Sequence, residues 1–382
     1  MQSMECARAW VDVDLDALRT NYETVRRTAG PDVAIIAMVK ADAYGLGARR
    51  VVQALEPLDP WAYGVAAAAE GAALRAAGIR RPILVTSPLP PQDMTRAAEA
   101  GLIASISDLA ALARWREAAR SIGPLEFHVE VDTGMGRAGF DWRETARWAP
   151  VVAGDGSEAA RWTGIFTHMH SADAGAASPT QTQWGRFQDT LTQLPVSREN
   201  LVVHVANSAA SLRWPEYALD AVRPGIFLYG GRVSPVDAKP PAPVPAPVVS
   251  VRARVVLVRD VPPGSSVGYG ATHVARGWER WATLSIGYGD GLPRALGNNG
   301  HALVHGKKVP LVGRISMDLC VVDITDRTDA TAGDVATLIG CDGDACITVD
   351  EVAQQAGTIS YEILTGLTQR LPRVVRNTHA AE

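Results

Sequence analysis

Short apolar runs alternate with alanine-rich amphipathic stretches through the first 230 residues of the chain. Strands buried on both faces read as continuous apolar runs, and strands that alternate with helices pair in parallel. Eight such runs predict a (β/α)8 barrel, while an open doubly wound sheet is the alternative that the pattern leaves open. The runs occupy residues 34–40, 61–66, 82–87, 102–107, 125–133, 163–168, 201–207 and 221–230.

A proline-rich segment divides the chain, with six prolines between residues 235 and 247. Such a segment accommodates neither a helix nor a central strand. Beyond it, β-branched runs broken by Gly and Pro turns predict a smaller, mostly antiparallel β domain with one helical stretch. We therefore expect a barrel over residues 1–234, a linker over 235–247 and a second domain over 248–382.

Composition excludes several classes of function. The net charge of −4 gives no general electrostatic reason to expect nucleic acid or an anionic membrane as a partner. No uninterrupted apolar run is long enough to span a bilayer, and the first residues lack the pattern of a signal peptide. We therefore expect a soluble cytoplasmic protein.

The four cysteines do not suggest a disulfide framework or a metal site. In a chain of 382 residues, Cys6, Cys320, Cys341 and Cys346 fit a reducing compartment. Cys341 and Cys346 flank a short loop, but no second Cys or His pair follows, so zinc is not indicated. We predict ordinary loop thiols and no metal.

Lys40 is the lysine best placed for chemistry. The other three lysines, Lys239, Lys307 and Lys308, lie in a proline-rich segment and in an apparent exposed turn, whereas Lys40 ends a buried run. Burial favours the neutral, nucleophilic amine, which suits a Schiff base with an aldehyde cofactor. The alternative is a lysine that only reaches from the strand end to solvent.

Two later strand ends offer binding groups for a phosphate. Ser208 stands at a probable helix start, where free N–H groups bind anions, and Gly225 offers accessible backbone near the eighth run. Each signal is weak alone. Together they predict a lysine that faces a phosphate-bearing group.

At this point the residues resemble a known family. The string VKADAYGLG (39–47) resembles the cofactor-lysine signature of alanine racemases. The resemblance continues through both domains, in DTGMGR (132–137), FTH (166–168), HVANSAA (204–210), VRPGIFLYG (222–230), VGYGATH (267–273), SIGYGDG (285–291), VGRISMD (312–318) and ISYEIL (359–364). It implies a barrel followed by a β domain, a pyridoxal 5′-phosphate cofactor, interconversion of L- and D-alanine that supplies peptidoglycan synthesis, and a head-to-tail homodimer with shared sites.

The resemblance also implies roles for individual residues. Lys40 would hold the cofactor and act on one face of the substrate Cα, while Tyr269 from the partner subunit would act on the opposite face. His168 would accept the hydrogen bond of Tyr269, with Arg223 behind it. Arg223 would face the pyridine nitrogen, and since arginine keeps its proton, that nitrogen would stay unprotonated and side reactions would be limited.

The remaining implied roles concern binding and access. The residues that would bind the phosphate are Tyr44, Ser208, Gly225, Ile226 and Tyr361. Arg137 would bind the cofactor's phenolic oxygen, and Met317 would bind the substrate carboxylate. The access path would be lined by Asp173, Tyr288 and Asp318.

Glu130 departs from a common pattern of the family. Some members carry a carbamylated lysine seven residues before the arginine that corresponds to Arg137, and this chain has a glutamate there. We hypothesise that Glu130 orients Arg137 directly, without a modification that depends on CO₂.

Four alternatives remain open. A racemase of broader specificity, for example for serine, would use the same cofactor, but Tyr361 would narrow the pocket. A barrel decarboxylase would carry an acid where Arg223 stands. A non-enzymatic cofactor-binding barrel would lack residues 248–382 and Tyr269, and a plain phosphate-binding barrel would lack covalent chemistry at Lys40.

Overall fold

Eight parallel strands form a barrel in the first part of the chain, which confirms the predicted (β/α)8 fold. The computed structural model describes residues 7–154, 159–174, 178–235, 238–239, 241–326 and 329–376. The strands up to residue 222 are β1 (Ala9–Asp14), β2 (Ala34–Met38), β3 (Ala62–Val65), β4 (Ile83–Val85), β5 (Ile103–Ile106), β6 (Leu125–Asp132), β7 (Phe140–Asp141), β8 (Ala160–Phe166), β9 (Val202–His204) and β10 (Ala221–Val222).

The barrel consists of β2 to β6 and β8 to β10, which pair in chain order. The eighth strand lies beside the first through the pairing of Ala221 with Ala34. A single parallel bridge between Asn207 and Arg223 joins the ends of the last two strands. The short β7 pairs only with the end of β6.

Helices connect the strands and pack against their sequence neighbours around the sheet. The first helix illustrates how the sequence defines them: the Asp14 carboxylate accepts the N–H groups of Asp16 and Ala17, and the chain turns off at Gly30. The helices are α1 (Leu15–Ala29), α2 (Lys40–Tyr44), α3 (Ala48–Leu55), α4 (Ala68–Ala76), α5 (Met94–Glu99), α6 (Leu109–Ile122), α7 (Thr145–Ala153), α8 (Ser178–Thr192) and α9 (Ser208–Arg213).

The second part of the chain forms a mostly antiparallel sheet, as the sequence predicts. Its elements are β11 (Val249–Val261), β12 (Ser266–Val267), β13 (His273–Val274), β14 (Glu279–Leu284), β15 (His301–Val304), β16 (Lys307–Val312), β17 (Cys320–Asp323), β18 (Val335–Asp342), β19 (Ala345–Ile347), α10 (Val349–Ala356), α11 (Ser360–Gly366) and β20 (Arg373–Arg376). The strand order in the sheet is β19-β18-β15-β16-β17-β14-β11-β1-β20, and β12 pairs separately with β13.

The N-terminal strand departs from the expected division at residue 234. Strand β1 pairs antiparallel with β11 and parallel with β20, so residues 9–14 lie in the second sheet. The barrel therefore begins with α1. The proline-rich segment is held against that helix, because the Asn21 side chain donates to the Ala246 carbonyl (2.9 Å) and accepts from its N–H (2.7 Å).

The prediction of ordinary loop thiols is wrong for two of the cysteines. Cys341 and Cys346 form a disulfide across the hairpin of β18 and β19, where the register sets them opposite each other. Cys320 is a free, buried thiol, and Cys6 lies outside the described residues.

Two features are absent from the described ranges. These ranges contain no helix with the length and apolarity of a membrane span. They also contain no group of three His, Cys, Asp or Glu side chains arranged to hold a metal ion.

Candidate active site

A cavity of about 340 Å³ lies at the carboxyl ends of the barrel strands. This is the end of a (β/α)8 barrel at which active sites form, because the loops after the strands converge there. The cavity is lined by Met38, Lys40, Tyr44, Thr86, Ser87, Pro88, Glu130, Arg137, Ala138, Phe166, His168, Asn207, Ser208, Arg223, Gly225, Ile226 and Tyr361. It thus collects most of the barrel residues that the sequence singled out.

Lys40 enters the cavity directly after β2. The backbone that follows it turns in the left-handed sense, with φ between 52° and 56° at Ala41, Asp42, Ala43 and Tyr44. Such a turn returns to the same side after about four residues, so Lys40 and Tyr44 both line the cavity. Burial and the charges of two arginines lower the pKa of Lys40, which favours its neutral amine.

A narrow recess lies at the Tyr44 end of the cavity. The Gly225 N–H donates to Ser208 Oγ (2.7 Å), and a Cβ on Gly225 would lie only 2.2 Å from Tyr44 Oη. Only glycine fits at this position. Because Ser208 Oγ accepts that bond, its own O–H can still donate to a ligand. Backbone N–H groups lie nearby, at the start of the helical turn that begins at Ile226. The recess therefore suits a phosphate.

Tyr44 is itself held by an aromatic neighbour that the sequence analysis did not single out. Its ring stacks on that of Tyr229 with centroids 4.5 Å apart, and Tyr229 Oη donates to the Met38 carbonyl (2.7 Å). The Tyr361 ring also lies near the Tyr44 ring, with centroids 6.0 Å apart. The only signal for Tyr229 in the sequence was its place in the string FLYG.

Arg223 follows β10 and is 5% exposed. Its guanidinium donates to His204 Nδ1 (2.5 Å), to the His204 carbonyl (2.7 Å) and to the Thr167 carbonyl (2.7 Å). The Phe166 ring lies 5.1 Å from it. Burial lowers the pKa of Arg223 to about 10, so the side chain stays charged at neutral pH.

Two buried histidines extend this contact into the barrel interior. His204 Nε2 lies 2.8 Å from His128 Nδ1. Because an arginine can only donate, His204 must accept at Nδ1 and carry its proton on Nε2, which donates to His128. Burial and Arg223 lower the pKa of His128 to about 3 and that of His204 well below its usual value. Neither histidine was predicted as part of the site.

The pKa values of His168 and Glu130 are shifted in opposite directions. Burial and the nearby Arg223, Arg137 and Lys40 lower the pKa of His168 to about 3, so its imidazole is neutral. Burial raises the pKa of Glu130, although the Ser107 hydroxyl and the two arginines oppose this. Within the described ranges, no hydrogen bond of Arg223 reaches His168.

The proposed contact between Glu130 and Arg137 is not formed in the single chain. Glu130 accepts a hydrogen bond from Ser107 Oγ (3.0 Å), and the described residues include no ion pair between Glu130 and Arg137. Arg137 lines the cavity with an exposed side chain. The Arg137 charge acts on Glu130 at longer range, where it opposes the rise in the carboxyl pKa that burial causes.

A buried glutamine, also missed by the sequence analysis, connects two loops of the site. Gln183 on α8 donates to Thr133 Oγ1 (3.2 Å) and to the His168 carbonyl (3.0 Å). Its amide oxygen accepts the His170 N–H (2.9 Å). The loop after β6 and the loop after β8 are thereby fixed to the same side chain.

Apart from Tyr361, the expected site residues of the second domain do not line this cavity. Tyr269 is 67% exposed and Met317 is 52% exposed, and Tyr288 and Asp318 are also exposed. Tyr288 lies beside the Met317 loop, since its N–H donates to the Ser316 carbonyl (3.0 Å). The single chain therefore presents these residues to its surroundings.

The donors around the cavity fit pyridoxal phosphate. Lys40 supplies an amine, Arg137 and Arg223 supply positive charge for a dianionic ligand, and the Gly225 recess admits a phosphate. A barrel with a lysine at the first strand end and a phosphate recess at the last, followed by a β domain, is the architecture of a class of pyridoxal-phosphate-dependent enzymes.

Comparison with known proteins identifies the family within this class. The family model for the alanine racemase N-terminal domain matches residues 13–233, and that for the C-terminal domain matches residues 248–375. An alanine racemase from Halothermothrix orenii is 36% identical over 375 residues, covering 96% of this chain and 97% of that protein. One from Geobacillus kaustophilus is 39% identical over 373 residues, covering 96% and 94%.

Solved structures agree with this assignment. The alanine racemase from the D-cycloserine producer Streptomyces lavendulae superposes with a TM-score of 0.89 at 35% identity, covering 97% of each chain. The Bacillus anthracis alanine racemase with bound L-Ala-P gives 0.88 at 33% identity, covering 97% of this chain and 95% of that one. The chain belongs to the alanine racemase family.

Proposed function

We propose that the protein interconverts L- and D-alanine, with pyridoxal phosphate held covalently by Lys40. The observation that carries the proposal is the shared cavity of Lys40, Tyr44, Arg223 and the Gly225 recess at the strand ends. Alanine is the substrate named for the relatives that match over nearly the whole chain.

Lys40 and Tyr269 of the partner subunit move the proton. When bound, the cofactor withdraws electrons from the substrate Cα and so makes its proton removable. Lys40 Nζ exchanges a proton on one face of Cα, and the phenol oxygen of Tyr269 of the partner subunit does so on the other. The lowered pKa of Lys40 suits this role as a proton acceptor, because a neutral amine can accept a proton near neutral pH.

Arg223 would meet the pyridine nitrogen of the cofactor. His204 and three backbone carbonyls occupy its other donors, which fixes the direction of the guanidinium. Since the side chain keeps its proton, it stabilises the nitrogen by a hydrogen bond without protonating it. Tyr44, Ser208, Ile226 and Tyr361 would bind the phosphate around Gly225.

A homodimer would complete the site. Tyr269 and Met317 are exposed in the single chain, and the cavity is built from the barrel and Tyr361 alone. A second copy that places these residues over the cavity would supply the missing proton carrier and the Met317 N–H for the substrate carboxylate. Asp173, Tyr288 and Asp318 would then line the access path.

The proposed biological role is the supply of D-alanine for peptidoglycan in the cytoplasm. The disulfide between Cys341 and Cys346 is the one observation that speaks for a more oxidising compartment, because disulfides are rare in the cytosol. Cell fractionation followed by thiol labelling of the purified protein would decide between the two.

The test uses the purified protein with L-alanine and L-serine. We expect D-alanine to form much faster than D-serine, and borohydride to fix the cofactor on the peptide that contains Lys40. The Lys40→Ala variant should lose both properties, while the control Lys307→Ala, at an exposed lysine, should keep both. Faster turnover of serine would indicate a broader racemase, and a fixed cofactor without turnover would indicate a binding protein.

A further inference from the structure

The left-handed turn after Lys40 is a strained piece of backbone that something must hold. Residues other than glycine rarely adopt the left-handed helical conformation, because Cβ then lies too close to the following carbonyl oxygen, and Ala41 to Tyr44 adopt it consecutively. Of the two alanines, the aspartate and the tyrosine in this turn, only the aspartate is a residue type that is enriched in this conformation. The geometry of Lys40 therefore depends on contacts from outside the turn.

Glu70 makes the contact closest to Lys40. It lies in the first turn of α4, which follows the next barrel strand, β3. One carboxylate oxygen accepts the N–H of Ala41 (2.6 Å), and the other accepts those of Ala66 (2.8 Å) and Ala67 (3.2 Å). A single carboxylate thus ties the residue after Lys40 to the end of the neighbouring strand.

Other contacts hold the far end of the turn. Asp42 Oδ1 accepts the Ala48 N–H (2.7 Å), and the Arg373 side chain donates to the Gly45 carbonyl (3.0 Å). These contacts begin two or more residues beyond Lys40. Glu70 is the side chain that fixes the peptide directly attached to it.

We propose that Glu70 is a positioning residue for Lys40: by holding the Ala41 N–H, its carboxylate keeps the turn left-handed and so keeps Lys40 and Tyr44 in the same cavity. The proposal rests on the proposed role of Lys40 as the cofactor-binding residue. It adds a residue that lies outside the cavity lining and carries negative charge next to the lysine.

A purely structural role for Glu70 makes a different prediction. The same carboxylate also serves the N-terminal turn of α4, where an acidic side chain is stabilising. If that were its whole function, removing it would loosen residues 66–70 and leave residues 41–47 and Lys40 unchanged. The two roles can therefore be separated by where the effect occurs.

The first measurement is hydrogen exchange of the holoenzyme, compared between the unchanged chain and Glu70→Gln. We expect at least about tenfold faster amide exchange over residues 41–47, because the amide side chain offers only one acceptor oxygen in place of two. The control is Glu99→Gln, which removes an exposed carboxylate from α5. Exchange that changes only at residues 66–70, or not at all, would overturn the proposal.

The second measurement is the pH titration of the visible absorbance of the cofactor bound to Lys40. The Glu70 carboxylate lies close enough to Lys40 to favour a protonated nitrogen there, so Glu70→Gln should move the midpoint to lower pH. Glu70→Asp, which keeps the charge but shortens the reach, should speed exchange at 41–47 with a smaller shift of the midpoint. An unchanged midpoint in Glu70→Gln would contradict the positioning role.

Failure of the underlying function has a distinct signature. If borohydride fixes no cofactor on Lys40 in the unchanged chain, then the proposed role of Lys40 is wrong and the positioning role falls with it. If Lys40 is labelled in the unchanged chain and Glu70→Gln behaves like Glu99→Gln in both measurements, only the Glu70 proposal is refuted.

Discussion

Arg223, His204 and His128 form a buried chain in which each proton position is determined by its neighbour. The guanidinium donates to His204, and His204 donates to His128. His128 then carries its own proton on Nε2, an atom that is buried without a partner among the described residues. A protonated histidine at either position would place a second charge beside Arg223, and burial prevents this.

These neutral histidines predict a loss of stability at low pH. Unfolded histidine takes up a proton near pH 6.5, whereas His128 in the folded chain does so only near pH 3, so its contribution is retained above pH 6.5 and lost as the pH falls. Between pH 7.5 and 5.5 this costs about 1.4 kcal/mol for one histidine. Urea unfolding of His128→Asn, which keeps an acceptor for His204, should show a smaller loss by about that amount.

The exposed His170 provides the control for this measurement. His170→Asn should show the same loss of unfolding free energy between the two pH values as the unchanged chain. An equal loss in His128→Asn and the unchanged chain would show that His128 does not titrate as its burial requires.

Gly225 predicts a steric effect on cofactor binding. The added methyl group in Gly225→Ala would lie 2.2 Å from Tyr44 Oη and displace that ring. Overpacking of this kind costs roughly 1–3 kcal/mol, which is about fivefold to 150-fold in affinity for pyridoxal phosphate. Fluorescence titration with the cofactor measures this effect.

Gly185 is the matched control, because nothing lies within 4 Å of a Cβ added there. It is an interior residue of α8, so Gly185→Ala should keep the affinity and raise stability by about 1 kcal/mol. Equal affinities in the two variants would contradict the tight recess at Gly225.

Among the elements, those with local signals were predictable from sequence. The strand before Lys40 reads as an apolar run, and Ser208 stands at the start of α9 as expected. The left-handed turn at residues 41–44 could not be predicted, because none of its residues is a glycine and its stabilisation comes from Glu70 and Arg373. Tertiary contacts there override local preference.

The other misses have the same physical origin. Strand β1 pairs with β11, about 240 residues later in the chain. The sequence of an apolar strand does not show which distant strand it pairs with. The disulfide depends on the cross-strand register of β18 and β19, which spacing alone does not give. Tyr229, His204 and Gln183 reach the site through packing and long-range hydrogen bonds.

The hairpin of β18 and β19 carries a testable contribution to stability. A disulfide that closes so short a loop stabilises the folded chain by about 2 kcal/mol or less. Reductant should therefore lower the melting temperature of the unchanged chain by a few degrees, at about 2–4 °C per kcal/mol, and leave that of Cys341→Ser/Cys346→Ser unchanged. An equal response of both proteins to reductant would show that the two thiols are not paired in solution.

The two domains of one chain do not bring all the proposed site residues together. The barrel supplies the cavity with Lys40, and the second domain adds Tyr361 to it, whereas Tyr269 and Met317 are exposed elsewhere. A closed dimer in which each copy covers the other is the simplest assembly that joins them.

Mixed dimers test this arrangement. Lys40→Ala and Tyr269→Phe should each be inactive or reduced by about 10²–10⁴-fold as homodimers, because each site lacks one proton carrier. When the two variants are unfolded and refolded together in equal amounts, about half of the dimers are hybrids. Each hybrid has one intact site of its two. The mixture should therefore recover about a quarter of the activity of the unchanged protein. No recovery would show that both residues act from the same chain.

The most direct test of two proton carriers on opposite faces is the early time course of L-alanine racemisation in D₂O. If, as proposed, Lys40 and Tyr269 of the partner subunit are the two carriers and each exchanges its proton with solvent, the first D-alanine formed should carry deuterium at Cα, while most of the remaining L-alanine keeps its original proton. D-alanine that retains the original proton would indicate a single carrier and contradict this account, and the absence of D-alanine would contradict it altogether.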